Sequence, residues 1–311
     1  MHPIDHTIHF RRVMHRGEVA SLSSRATLCR RVQNGFWWRP TTKTLAPRGV
    51  EESDEFWLLA ALAHTWPHGA LTGPTLAHIT GRLATRPSAI HVAVPREASI
   101  RNRGPFVLHR VRRPQPQVVW FGSTRLAVDR SPESMIMSGL MLDTTTADWM
   151  LIDTVGSATI RDRRILRASA EPYIEVAHKF DRPGCRELGT HLEAVADGCQ
   201  SPGEIAVWQL LRRLRVNFVA QQAWRLAPEV SRVLGSRTIY SDFWIPAAST
   251  VVEVDSSVHD HVRDVRRDTW LLSRGIYTVR IIGADVLSDP TAAMDTLRHG
   301  LYRRPHRKTM P

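Results

Sequence analysis

The chain has 311 residues, 42% of them hydrophobic, which is too long for one compact core of ordinary size and too apolar for wholesale disorder. Lys and Arg number 42 against 30 Asp and Glu, a formal charge of +12 carried mostly by Arg. This excess favours a polyanionic partner, most simply nucleic acid. An Arg-rich proteome from a GC-rich genome would give the same balance, so both explanations stay open.

The cysteines and the apolar runs indicate the cellular compartment in which the protein is expected. The cysteine count is odd and lacks metal-ligand spacing, which predicts free thiols in a reducing compartment rather than a disulfide framework. The stretch MHPIDHTIHFRR has no apolar signal-peptide segment, and no apolar run reaches membrane-spanning length. We therefore expect a cytoplasmic protein without membrane contact.

Three segments follow one another along the chain. Residues 1–50 are basic and helical in pattern, residues 51–194 mix helical and strand-like stretches, and residues 195–305 alternate helix and strand signals densely. Gly and Pro concentrate from DRPGCRELG to ADGCQSPGE, which predicts the joint before the last segment. The expected fold class is α/β (α+β): a winged-helix-like start, an α+β middle domain, and a mixed sheet flanked by helices at the end.

The first segment contains a basic helix followed by an aromatic strand. SLSSRATLCRRVQNG predicts a short helix capped by Ser23 or Ser24 and stopped at Asn34-Gly35, and FWWRP predicts a β-wing behind it. This is the outline of a winged helix-turn-helix, which places a helix in the DNA major groove. The predicted nucleic-acid contacts are Arg25, Arg30, Arg31 and Arg39. A small helical cap with solvated arginines is the alternative.

The middle segment carries the basic run PREASIRNRGPFVLHRVRRP. Alternation along this run would bring several arginines to one strand face, where they could meet phosphates, or they could form a solvated sheet face. The segment has no nucleophile–base pair, Gly-rich loop or Cys/His cluster, so we assign it no chemistry. A protein partner bound through this segment is an alternative role for it.

The last segment has clearer elements. SPGEIAVWQLLRRLR predicts a helix with Ser201 as N-cap, Pro202 at its first position and Glu204 at its third, which is a capping box. VNFVAQQ, RTIYSDFWI and TVVEVD predict three strands. A helix ending at Gly275, the strand IYTVRII and a closing helix complete the order α-β-β-β-α-β-α.

Three carboxylates interrupt these otherwise apolar strands. Side chains alternate along a strand, so Glu253 and Asp255 share one face, and a four-residue hairpin loop at 246–249 would place Asp242 opposite Glu253. Like charges in such positions destabilise a sheet unless one acid is protonated or a cation joins them. Mg²⁺ takes oxygen ligands of this kind. The alternative is an exposed sheet edge where the acids pair with arginines such as Arg280.

Residues 201–287 resemble the very-short-patch-repair (Vsr)-like branch of the PD-(D/E)XK endonuclease superfamily. SPGEIAVWQLLR resembles its opening helix, SDFWIP its D-F strand, VVEVDSSVHDH its E-x-D-G-x-x-H stretch, and RDVRRDTWLLSRGIYTVRI its ending. Ser256 stands where that branch has Gly, and Asp255 stands at the superfamily's Lys position. SRATLCRRVQNGFWWRP and ALTGPTLAHITGRL…IHVAVP more weakly resemble proteins that join an AbiEi antitoxin-like winged-helix start to such a nuclease-like end.

The resemblance implies a restriction-endonuclease-like C-terminal domain that hydrolyses DNA with Mg²⁺ or Mn²⁺. Asp242 and Glu253 would hold the metal, and Asp255 would be a third ligand, directly or through water. His259 would act as general acid or base, although a surface histidine is the alternative. Glu204 would both cap its helix and stand at the metal site.

Positively charged side chains complete the expected site, and two other functions remain open. Asp264, Arg267 and Asp268 are expected to form an ion-pair network on one helix face, with Arg280 directed at the carboxylates or at a phosphate.

The alternatives to a nuclease are a non-catalytic DNA-binding transcriptional regulator and an antitoxin-like interaction protein. DNA sequence preference and oligomeric state are not predicted.

Overall fold

A computed structural model describes residues 12–101, 105–156, 159–255 and 261–302. The chain is a mixed α/β protein with three sheets flanked by helices. Its contacts divide it into two units: residues up to Met150 with Lys179–Cys185, and Leu151–His178 with the residues from Arg186 onward. The domain ranges 1–50, 51–194 and 195–305 stay predictions. None of the helices described is both long and apolar enough to cross a membrane.

The first unit begins with a small antiparallel sheet of order β1-β3-β2 and two helices. The elements are β1 Met14–His15, α1 Arg16–Leu22, α2 Arg25–Gln33, β2 Trp37–Trp38 and β3 Thr44–Pro47. Ser24 caps α2 by accepting the Thr27 N–H at 3.2 Å, and the helix ends at Asn34. The predicted helix and the strand after it are confirmed, and the core here consists of Met14, Val19, Leu28, Trp37 and Leu45. The winged-helix arrangement stays a prediction.

A five-stranded mixed sheet of order β6-β5-β4-β8-β7 follows in the same unit. The elements are α3 Asp54–Thr65, β4 Ala70–Leu71, α4 Gly73–Ile79, β5 Ile90–Pro95, β6 Phe106–Val111, β7 Pro116–Phe121, β8 Thr124–Asp129, α5 Pro132–Gly139 and α6 Thr144–Val155, of which the part from Leu151 belongs to the second unit. Arg110 donates to the carbonyls of Arg96, Ala98 and Ile100, and Arg96 pairs with Glu133. These two arginines of the basic run therefore hold a loop in place.

The second unit is built on a four-stranded sheet of order β12-β11-β10-β9, antiparallel except for the parallel pair β11–β12. Its elements are α7 Arg163–Lys179, α8 Cys185–Asp197, α9 Pro202–Arg213, β9 Val219–Arg225, α10 Pro228–Leu234, β10 Thr238–Ile245, β11 Thr250–Asp255, α11 His261–Leu272, β12 Tyr277–Ile282, α12 Gly283–Ser288 and α13 Pro290–Tyr302. The predicted order missed α10 and α12 because helices of seven and six residues are too short to show a period.

Helices cover both faces of β11 in this unit. On one face α9 approaches so closely that a Cβ on Gly203 would lie 2.8 Å from the Cα of Gly283 and 3.2 Å from Val254. On the other face α11 packs over an apolar cluster of Val251, Leu271 and Ile276 with Trp224, Trp244 and Trp270. Polar side chains on β11 are therefore enclosed between the sheet and a helix, as Glu253 is beside Arg267 of α11.

Candidate functional site

The β10–β11 hairpin places Asp242 where the two strands part. Pairing runs from Ile245↔Thr250 to Phe243↔Val252 around a turn at 246–249, which confirms the predicted loop and register. The ladder ends there, and Asp242 Oδ2 accepts the Val254 N–H at 2.8 Å. Asp242 therefore fills the gap between the strands with its side chain, instead of forming the predicted cross-strand pair with Glu253.

Gln221 on β9 connects Asp242 to the helix side of the site. Its φ of +49° is left-handed, which is rare for a residue other than Gly. Its Nε2 donates to Glu204 Oε2 at 3.0 Å and lies 3.4 Å from Asp242 Oδ1, while its Oε1 accepts from Arg161 Nη1 at 3.0 Å. The Arg161 guanidinium stacks 5.1 Å from the ring centre of Tyr240. The amide therefore joins two carboxylates and one cation.

Glu204 is buried at the start of α9, with 8% of its surface exposed. Its Oε1 accepts the Ser201 hydroxyl at 3.0 Å and its Oε2 accepts the Gln200 N–H at 3.1 Å, which confirms the predicted capping box. Burial, followed by the charge of Asp242, raises the pKa of Glu204 to about 8. The capping residue is thus also close to Asp242, and its place at a metal site stays a prediction.

Glu253 lies deeper, on the α11 side of the sheet, with 3% of its surface exposed. Its Oε2 lies 3.1 Å from Arg267 Nη2, and Ser241 forms a side-chain hydrogen bond with it. Its Oε1 is buried and has no hydrogen-bond partner in the part of the chain that the structure describes. Burial, followed by the charge of Asp242, raises the pKa of Glu253 to about 8 even though Arg267 lowers it. Burial also raises the pKa of Asp242.

Asp255 has different surroundings, although it shares a strand face with Glu253. Arg280 Nη1 contacts its two oxygens at 3.0 and 3.1 Å, and Arg280 also lies 3.0 Å from Asp268 and 3.6 Å from Asp264. Arg267 lies 3.9 Å from Asp264. The predicted pairing of Arg267 with Asp264 is confirmed, whereas Asp268 pairs with Arg280, which is directed at carboxylates. A nucleic-acid contact by Arg280 stays a prediction.

The oxygens of Asp242 and Glu253 suit a hard cation best. Carboxylate oxygens are the ligands that Mg²⁺ and Mn²⁺ prefer, and Glu253 Oε1 and Asp242 Oδ1 have unused or weakly used lone pairs. Among the described residues no group of three or more His, Cys, Asp or Glu is already arranged to hold a metal. This corrects the expectation of a preformed triad, because Asp255 is held by Arg280. His259 lies outside the described residues.

The predicted nucleic-acid contacts of the first unit cluster on the helix and wing. Arg25 and Arg30 are exposed on α2, Arg30 on the side opposite the buried Leu28, and Arg39 is exposed after β2. Arg31 is partly buried, with its guanidinium 5.1 Å from the ring centre of Phe36. The exposed side of α2 is therefore positively charged, as a helix that enters a groove of DNA must be.

Comparisons with known proteins do not assign this chain to a family. Neither the models of known protein families nor the curated proteins give a match. The resemblance of residues 201–287 to Vsr-like nucleases therefore stays a prediction, and the case for function depends on the site itself.

Proposed function

We propose that this chain is a metal-dependent endonuclease-like hydrolase that cuts DNA phosphodiester bonds. Its second unit would be the restriction-endonuclease-like catalytic domain, and the helix and wing of the first unit would bind DNA. The observation that carries the proposal is the carboxylate cluster: Glu204 and Glu253, each with a pKa raised to about 8, flank Asp242 where β10 and β11 part. Buried acids of this kind destabilise a fold, and they concentrate at functional sites.

Asp242 and Glu253 would hold the cation, Mg²⁺ or Mn²⁺. Each has an oxygen with capacity for a ligand bond, whereas both oxygens of Glu204 already accept hydrogen bonds from Ser201, Gln200 and Gln221. A cation bound there would supply an activated water and offset the charge of the scissile phosphate. Glu204 would stand beside the cation, and Asp255 would keep Arg280 in place.

The remaining groups would manage protons and the substrate's charge. With a pKa near 8, Glu204 can take up or release a proton at Oε1 or Oε2 close to neutral pH, as a general acid or base requires. Gln221 fixes Glu204 relative to Asp242, and Arg161 brings a guanidinium to the same amide, where it could bind a phosphate oxygen. The role of His259 as general acid or base stays a prediction.

A non-catalytic DNA-binding regulator is the second candidate. It is favoured by Arg267 and Arg280, which already neutralise Glu253 and Asp255 from within the protein. In that case the acidic cluster would have no catalytic role, and the exposed arginines of α2 and the wing would bind DNA.

Incubation with supercoiled plasmid separates the two candidates. Wild-type protein, Asp242→Asn and the control Asp295→Asn would be compared with Mg²⁺, Mn²⁺ or EDTA. The amide oxygen introduced by Asp242→Asn can still accept the Val254 N–H, and Asp295 is exposed on α13, so both variants should fold. We expect metal-dependent nicking by wild type and Asp295→Asn that is lost in Asp242→Asn. Retarded but uncut plasmid in every lane would instead establish the regulator.

A further inference from the structure

A basic cavity opens beside the β9–β10 connection in the second unit. It has a volume of about 810 Å³, and its polar lining consists of Arg225, Arg232, Arg237, Ser231, Ser236 and Thr238. No described carboxylate lies among the residues that line it. Its wall therefore carries three guanidinium charges and hydroxyl groups without any opposing charge.

The backbone holds these arginines in a defined arrangement. Arg225 ends β9 and pairs with Thr238 at the start of β10, and the Leu226 N–H donates to the Arg237 carbonyl at 3.0 Å. Between them α10 carries Arg232 and ends at Gly235, whose φ of +68° turns the chain back toward β10. The three side chains thus come from the end of β9, from the short helix α10 and from the turn that leads into β10.

None of the three arginines forms an ion pair or a side-chain hydrogen bond with any other residue in the described ranges. All three are exposed. Two other exposed arginines of this unit do pair with acids, Arg167 with Asp197 and Arg298 with Asp295. Three unpaired guanidinium groups around one cavity are complementary to an anion with several oxygens, because each planar group can donate two parallel hydrogen bonds to phosphate.

We propose that this cavity, the arginine pocket, binds the phosphate backbone of the nucleic acid that reaches the carboxylate cluster. Thr238 and Asp242 lie four residues apart on β10, about 13 Å along an extended strand, which is about the axial rise of four base pairs. Tyr240, 38% exposed and stacked with Arg161, lies between them. The inference takes the nucleic-acid ligand from the proposed function, but it does not depend on cleavage.

The test is a salt titration of DNA binding by the full-length chain. Anisotropy of a labelled duplex would be measured in EDTA over a range of KCl concentrations for Arg225→Gln, Arg232→Gln, Arg237→Gln and the triple variant. Arg186→Gln, an exposed arginine of α8, is the control with the same charge change. We expect the slope of log K against log salt to fall by about one for each pocket arginine removed and to stay unchanged in the control.

Three results would overturn the proposal, and the first two leave the proposed function untouched. A triple variant with the wild-type slope and affinity would exclude the arginine pocket from the DNA interface. Stabilisation of wild type by inorganic phosphate, lost in the triple variant without any change in DNA binding, would assign the pocket to a free anion. No DNA binding by wild type would remove both proposals, whereas the expected slopes with no plasmid nicking would remove the hydrolase alone.

Discussion

Glu253 and Asp255 lie two residues apart on the same face of β11, yet they meet opposite surroundings. Arg280 contacts both oxygens of Asp255. Glu253 has Arg267 at one oxygen, while its other oxygen is buried without a partner among the described residues. Strand periodicity treats the two acids alike, but the donors around them differ. What distinguishes a candidate metal ligand here is the number of oxygens still free to accept a bond.

The same criterion separates the two carboxylates on the other side of the cluster. Glu204 uses both oxygens to accept hydrogen bonds. In Asp242, Oδ2 accepts the Val254 N–H at 2.8 Å, whereas Oδ1 has only the Gln221 Nε2 at 3.4 Å. We therefore assign the cation to Asp242 and Glu253, and we give Glu204 and Asp255 supporting positions.

The largest effect should come from exchanging the two acids of β11 for amides. We expect Glu253→Gln to lower metal-dependent nicking by more than about 100-fold, beyond the roughly 10- to 100-fold loss typical of residues that only support a ligand. Asp255→Asn should lower it by less than about tenfold, because Arg280 keeps Asp268 and Asp264 as partners. Initial rates of plasmid nicking measure both. Equal losses would show that the two acids act alike.

A smaller effect concerns Arg267, whose guanidinium pairs with Glu253. Arg267→Met should lower the free energy of unfolding by about 3 kcal/mol at pH 9, where Glu253 is charged, because an unpaired buried charge remains. Below the pKa of about 8 the cost should shrink, since Glu253 then holds a proton. Denaturant titrations at pH 6 and pH 9 measure this difference. The double variant Glu253→Gln/Arg267→Met should recover most of the loss, and a cost independent of pH would contradict the account.

The third effect, the smallest per pH unit because each carboxyl contributes at most about 1.4 kcal/mol per unit, is the pH dependence of stability. A carboxyl whose pKa is raised on folding stabilises the protein at low pH, and this contribution is lost as pH rises toward the folded pKa. Glu204 and Glu253 should therefore lower the melting temperature between about pH 5 and pH 8. Glu204→Gln should flatten that slope and raise the melting temperature at pH 8 by about 2–4 °C for each kcal/mol recovered. Calorimetric scans over this pH range provide the check, and an unchanged slope would count against a raised pKa of Glu204.

Local patterns predicted a substantial part of this architecture. The Ser24 cap, the strand after α2, the Ser201–Glu204 capping box and the hairpin register all depend on residues a few positions apart, and the structure confirms them. The alternation that separates Glu253 from Val254 is of the same kind. Sequence reasoning also named Arg280 as a partner for the acids, which the structure confirms for Asp255.

Contacts between distant segments could not be predicted in this way. Arg161 reaches Gln221 from 60 positions away, and nothing in VNFVAQQ indicates that Gln221 takes a left-handed φ and turns its amide toward Glu204 and Asp242. The arginine pocket depends on the fold of α10, a helix too short to show a period. These features arise from tertiary packing, and they distinguish this site from a generic acidic strand.

Binding of Mn²⁺ to the metal-free protein tests the central claim most directly. Electron paramagnetic resonance reports free Mn²⁺, so a titration at pH 7.5 gives the number of ions bound by wild type and by Asp242→Asn. The account predicts one ion per chain for wild type, with affinity that rises with pH because the carboxylates must lose protons, and none for Asp242→Asn. Absence of binding by wild type, or equal binding by the variant, would contradict it.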